Sequence, residues 1–153
     1  MNYTEKVGEF HKTFGAPILE TPQIAPIERA KLRISLLQEE LNELNYAIEN
    51  NDLVEVLDAF LDIQYVLSGA ILEFGMQDVF NDGFNEVHRS NMSKACSSED
   101  EAKQTLEHYK EKDGTEGYYK QDGDKWLVYR KSDNKVLKNK FYSGANLEQF
   151  LQC

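Results

Sequence analysis

Glu39-Glu40-Leu41-Asn42-Glu43 and Glu55-Val56-Leu57-Asp58-Ala59-Phe60-Leu61-Asp62 place two acidic clusters inside otherwise apolar helical patterns. A helix turns about 100° per residue, so Glu55, Asp58 and Asp62 fall at roughly 0°, −60° and −20°, one narrow stripe. Glu39, Glu43 and Glu40 fall at about 0°, 40° and 100°, a second stripe. The intervening Glu49-Asn50-Asn51-Asp52 is too short for anything but an antiparallel hairpin. Folding back about it sets Glu43 opposite the region of Asp58 and Glu40 opposite that of Asp62, so that carboxylates converge from two helices.

Like charges about 6 Å apart repel by roughly 3 kcal/mol at an effective dielectric near 20. Several such pairs need protons or cations between them, and no basic residue lies between Gln38 and Phe74. Ligands that are all oxygen, with no thiolate and no imidazole, select hard cations such as Mg²⁺ or Mn²⁺. The candidate ligands are Glu40, Glu43, Glu55, Asp58 and Asp62. Two of the acids have a second reading. Asp52-Leu53-Val54-Glu55 is itself a capping box, and Glu39 also suits a solvated face. Asp58 and Asp62 alternate with Leu57, Leu61 and Tyr65, and Glu40 lies between Leu37 and Leu44 on the packing side, where charges are rarely idle.

Working outward, Val7, Phe10 and Phe14 predict a first helix ending at Gly15. Residues 16–25, with Pro17 and Pro22, predict an extended linker. Pro26 suits the start of a long helix running to about Asn50 on Leu32, Leu36, Leu37, Leu41, Leu44 and Ile48. The next runs from Asp52 to about Phe74, with Gly75 as its left-handed end. Residues 78–93 predict a fourth helix on Val79, Phe80, Phe84 and Val87. Ser98-Glu99-Asp100-Glu101 caps a fifth, running to about Lys112. Strand-like runs at 117–120, 125–130 and 135–137, separated by Asp122-Gly123 and Asp133-Asn134, predict a small meander. The expected fold is mainly α: a four- to five-helix bundle with a small C-terminal antiparallel meander, divided into a helical metal-binding domain over residues 1–94 and a helix plus meander over 95–153. The meander needs a surface to cover, on the bundle or on a partner subunit. Tyr65, Phe60 and Phe84 have the ring faces to stack a base, but read first as core.

The chain has 153 residues and a formal net charge of −10. Residues 1–94 hold 16 acids against 7 Lys and Arg; residues 95–153 hold 11 against 10. An acidic bundle argues against duplex nucleic acid as a partner. Glu55, Asp58 and Asp62 argue against a membrane span at Leu53–Leu72. The start, Met-Asn-Tyr-Thr-Glu-Lys, lacks the pattern of a signal peptide. Cys96 and Cys153 make neither a disulfide framework nor a zinc site, so a reduced, cytoplasmic setting is expected. His11, His88 and His108 are isolated, without metal-ligand spacing.

Glu39-Glu40-x-x-Glu43 followed by Glu55-x-x-Asp58 resembles the EExxE…ExxD signature of the all-α nucleoside triphosphate pyrophosphohydrolases. That superfamily includes MazG, dimeric dUTPases and phosphoribosyl-ATP pyrophosphohydrolase. The similarity extends to Glu28–Arg33 and Glu86–Lys94, and Asn134–Lys138 with Tyr142 resembles the tail of the phosphoribosyl-ATP pyrophosphohydrolase-like branch. The resemblance implies hydrolysis between the α and β phosphates of a nucleotide, giving a monophosphate and pyrophosphate. It implies Mg²⁺ held by Glu40, Glu43, Glu55 and Asp58, with Glu39 orienting or deprotonating water. It also implies phosphate or base contacts from Asn91 and Lys94, with Arg89, Lys138 and Tyr142 as further candidates, and a homodimer or homotetramer. Asp62 departs from the pattern and opens a shifted ligand set using Asp58 and Asp62. A competing reading is a non-catalytic nucleotide- and metal-binding module.

Overall fold

The structure is a computed structural model that describes residues 3–151. It falls into two compact units, Met1–Asn81 and Asp82–Cys153. The first holds helices α1 (Tyr3–Phe14), α2 (Ile27–Glu49) and α3 (Leu53–Glu73). Pro26, with φ −47°, stands immediately before α2, where its missing N–H costs nothing. After α2, Asn51 takes a left-handed φ of 54°. Asp52 then caps α3, its Oδ1 accepting from the N–H groups of Val54 at 3.1 Å and Glu55 at 3.2 Å. This tight connection folds α3 back on α2, with Ala47 and Ala59 buried, and α1 packs on α3.

Gly75 ends α3 at φ +67°, as the sequence predicts, and a Cβ there would sit 2.1 Å from the Thr21 carbonyl oxygen. The linker runs that close because it is strapped to the helix end: Leu19 N–H donates to Leu72 O and Gln23 N–H to Phe74 O, both at 3.0 Å. Beneath it lies a network that joins all three helices. Glu73, 1% exposed, accepts from Arg29 and Arg33; the Arg33 Nη2 contact is 2.6 Å. Arg33 Nη2 also donates to His11 Nε2 at 3.0 Å, and His11 Nδ1–H donates to the Pro17 carbonyl at 2.8 Å. Burial pulls the Glu73 carboxyl upward, but the hydrogen bonds and charges of Arg29 and Arg33 outweigh it and hold it below the usual range.

The apolar spine expected of α2 is only partly inside. Leu36, Leu37 and Leu44 are half-buried, while Leu32, Leu41 and Ile48 are exposed. Phe60, Tyr65 and Phe84, read as core from the sequence, are exposed too. The α2–α3 seam uses one stripe of each helix around small alanines. The wider apolar face is left on the outside.

The second unit includes most of α4 (Phe80–Met92), then α5 (Glu99–Asp113) and a hairpin of β1 (Gly117–Asp122) and β2 (Lys125–Arg130). Ser98 caps α5 as expected, its Oγ accepting from Glu101 N–H, and the Glu101 carboxylate reaches back to Ser97 N–H at 2.8 Å. The strands pair antiparallel from Gly117↔Arg130 to Asp122↔Lys125. The third run of the expected meander is not a full strand. Val136 forms a single bridge with Tyr129, and Leu137 N–H donates to Val128 O at 2.9 Å. Pairing stops there because the chain turns away: Asn139 N–H donates to Lys94 O at 3.0 Å. One face of the hairpin closes a core of Cys96, Ala102, Val128 and Leu137, backed by Leu106, Tyr109, Tyr119 and Trp126. The fold class is therefore mainly α with a small antiparallel sheet, as expected. Among the described residues, no helix is long and apolar enough to cross a membrane.

Candidate metal centre

Glu40 is the focus of the acidic clusters. It is half-buried on α2, and its Oε2 is buried without a hydrogen-bond partner. Burial pushes its carboxyl above the usual range, and the charges of Asp62, Glu43, Glu39 and Asp58, in that order, push it further. The hairpin thus brings Glu39, Glu40 and Glu43 of α2 within electrostatic reach of Asp58 and Asp62 of α3. Glu55 stands one helical turn before Asp58 on α3. It lies in the first turn of α3, exposed, its N–H on the Asp52 cap.

Glu39, Glu43, Asp58 and Asp62 are all exposed. Among the described residues, no three Asp, Glu, His or Cys side chains are gathered as a closed chelate. Carboxylates on facing helix rims repel one another when nothing positive lies between them. The donor set nonetheless suits a hard divalent cation, because every candidate donor is a carboxylate oxygen. A buried carboxylate oxygen with no donor is costly, and a cation at Glu40 Oε2 would satisfy it.

The other candidates gather in the second unit. Lys94 Nζ donates to Asn91 Oδ1 at 2.7 Å. The Ser90 and Tyr142 hydroxyls are 2.8 Å apart, and Lys138 Nζ lies 4.5 Å above the Tyr142 ring. Arg89 is engaged locally: it grips the Glu86 carboxylate at 2.7 and 2.8 Å and donates to the Gly144 carbonyl at 3.1 Å. The Arg89 hydrogen bonds, followed by the Asn146 N–H, lower the Glu86 carboxyl to about 2. Together with Asn139 and Ser143, which reach Lys94 and Ser93, these contacts bring the tail back along α4, so Tyr142 meets Ser90 with Lys138 over its ring despite the α5 and hairpin residues between them.

Two groups went unrecognised in the sequence. One is the Arg29–Arg33–Glu73–His11 network, whose only sequence signal is a pair of arginines four apart on α2. The other is a cleft of about 260 Å³ between α1 and α3, lined by residues that include Tyr3, Lys6, Asp62, Gln64, Tyr65 and Ser68. No local spacing rule joins α1 to α3.

The chain is 27% identical to the uncharacterized protein L479 of Acanthamoeba polyphaga mimivirus, in an alignment taking in 99% of this chain and 96% of that one. The sequence model of the family described as phosphoribosyl-ATP pyrophosphohydrolase matches residues 7–91, which include α2, α3 and both acidic clusters. A match over more than half of the chain, on the segment that carries the acidic hairpin, agrees with the resemblance read from the sequence: the chain belongs to the phosphoribosyl-ATP pyrophosphohydrolase family.

Proposed function

We propose that the protein is a Mg²⁺-dependent nucleotide pyrophosphohydrolase, cleaving a nucleoside triphosphate or related nucleotide between its α and β phosphates. The observation that carries this reading is Glu40, a half-buried carboxylate with an unpartnered buried oxygen and four other carboxylates acting on it. Membership of a hydrolase family supports the same reaction class.

Glu40, Glu43, Asp58 and Asp62 would hold the metal, with Mn²⁺ as a substitute. Glu55 is assigned to the helix start, exposed in the first turn of α3 beside the Asp52 cap. A bound divalent cation supplies charge neutralisation at the phosphoryl oxygens and lowers the pKa of water. Glu39, exposed one residue from Glu40, is assigned to orient the attacking water and take its proton. Within the second unit, Asn91, Lys94 and Lys138, with Tyr142 held by Ser90, form a separate polar group whose chemistry suits phosphate or base.

The active species is a homo-oligomer, most simply a homodimer. Ile27, Ile34, Leu41 and Ile48 are exposed every seven residues along α2, Ile34 by 68%. Leu53, Val54, Leu57, Phe60 and Leu61 form an exposed stripe at i, i+1, i+4, i+7 and i+8 on α3. Burying such side chains is worth about 1.5–3 kcal/mol each, and a second copy of the hairpin has the matching apolar face.

The test is a pyrophosphate-release screen over canonical and modified nucleotides with Mg²⁺, Mn²⁺ or EDTA. Metal-dependent release of pyrophosphate with the matching monophosphate is the expected result. Silence over the whole panel, with metal binding intact, overturns the enzymatic reading in favour of a binding module.

A further inference from the structure

We propose that Arg29, Arg33 and Glu73 set the register of the α2–α3 hairpin, and so act as positioning residues for Glu40 and Asp62 at a divalent cation they do not touch. The proposal rests on the reading of the acidic hairpin as a metal centre and adds what holds that centre in shape.

The need for such residues lies in the apolar pattern. Around α3, Leu57, Phe60 and Leu61 are exposed while Ala59, Ile71 and Leu72 are buried. On α2, Leu36 and Leu44 are half-buried while Ile34, Leu41 and Ile48 are exposed. Apolar burial alone therefore offers each helix more than one rotation, since hydrophobic packing loses uniqueness before it loses stability. The turn capped by Asp52 fastens the hairpin at one end only. A buried charge network is stricter, because a displaced partner leaves the others uncompensated.

The network fastens the other end, in the register of the site. Arg29 and Glu40 are 11 residues apart on α2, and Glu73 and Asp62 are 11 apart on α3. Eleven residues at about 100° each return to within about 20° of the starting direction. Arg29 thus meets Glu73 on the same two stripes, and in the same antiparallel register, as Glu40 meets Asp62, whose charge acts on it most strongly. Turning either helix by one residue, about 100°, breaks both pairs together.

Gly69 makes the crossing possible. It is buried one turn before Glu73, and a Cβ on it would sit 2.6 Å from Arg33 Nη1 and 3.0 Å from His11 Nε2. Glycine inside a helix is otherwise disfavoured; here the Arg33 guanidinium takes the space of the missing side chain. From there its Nη2 donates to Glu73 at 2.6 Å and to His11 Nε2 at 3.0 Å. His11, 1% exposed, is fixed in turn by donating Nδ1–H to the Pro17 carbonyl, which ties α1 into the same network.

The experiment sets Mn²⁺ affinity, read from the free-ion electron paramagnetic resonance signal, beside thermal unfolding of the metal-free protein. The chains compared are the wild type, Gly69→Ala, Arg33→Met with Glu73→Met, and all three substitutions together. Replacing both members of a buried ion pair by apolar side chains is often neutral for stability, and alanine suits a helix better than glycine. The variants are expected to stay folded well above the titration temperature and to bind Mn²⁺ on the order of tenfold more weakly. Adding Gly69→Ala to the double variant should cost no further affinity, because the guanidinium it displaces is already gone. Wild-type affinity in the variants, losses that add, or a loss that only follows Tm overturns the proposal. Should the double variant fail to fold, Arg33→Lys, which keeps the charge but not the forked donor, is expected to show the same loss, and unchanged affinity there overturns the assignment. A wild type that binds no Mn²⁺ removes the metal centre and this proposal with it; wild-type binding that every variant retains removes the positioning role alone.

Discussion

Glu39 and Glu40 are adjacent in sequence yet predicted to fail differently. Glu40→Gln keeps the shape of the side chain and removes its charge, so metal affinity should fall on the order of 100-fold, as read by the Mg²⁺ dependence of turnover. Glu39→Gln should leave that dependence in place and lower kcat by about 10²–10⁴, the usual worth of a positioned base. Glu73 belongs at the same scale. It is fully buried against Arg29 and Arg33, and Glu73→Ala leaves two guanidinium groups facing an uncompensated hole, at a cost of about 3–5 kcal/mol in urea unfolding. Because its folded pKa lies below its ordinary value, the stabilisation it gives is present above the unfolded carboxylate pKa. It is lost as pH falls through the folded one. Acid unfolding of the wild type should therefore contain a component that Glu73→Gln lacks. The approach of the α2 and α3 carboxylates was legible from sequence, since a single helix repeat lines them up. The Glu73 network was not: its partners are 40 and 44 residues apart, and nothing local marks a lone glutamate near a helix end as buried.

The helices were legible to within a few residues at their ends because their punctuation is local. Pro26, Asp52, Gly75 and Ser98 each bound a helix for a reason carried by that residue alone. Gly75 gives the sharpest test. Gly75→Ala requires a left-handed alanine and places a methyl carbon against the Thr21 carbonyl, so it should cost more than the roughly 1 kcal/mol of the backbone term alone and lower Tm measurably. The strand at 135–137 failed as an element for a different reason. Its alternation resembles that of β2, but whether a third strand forms depends on where the chain goes next, and Asn139 directs it to Lys94. The apolar periodicity of α2 and α4 likewise established helices without saying which apolar face is inside. Leu37 and Leu41 read alike in sequence, and only the alanine seam of the hairpin turns one inward and leaves the other out.

For the whole molecule, the exposed stripes on α2 and α3 predict self-association. Sedimentation equilibrium at micromolar concentration should give twice the 17.7 kDa chain mass or a higher multiple. Leu57→Glu, placed in the exposed stripe of α3, should shift it to monomer; a monomeric wild type contradicts the assembly. The central claim, however, is that α2 and α3 together build one divalent-cation centre around Glu40, with Asp62 in it and Glu55 outside it. Mn²⁺ binding, followed by the loss of the free-ion electron paramagnetic resonance signal, tests this most directly when the wild type, Glu40→Gln, Asp62→Asn and Glu55→Gln are titrated side by side. The account predicts saturable binding in the wild type, weakened at least tenfold in Glu40→Gln and Asp62→Asn and unchanged within about twofold in Glu55→Gln. A wild type that leaves the Mn²⁺ signal untouched, or a Glu55→Gln variant as impaired as Glu40→Gln, would contradict it.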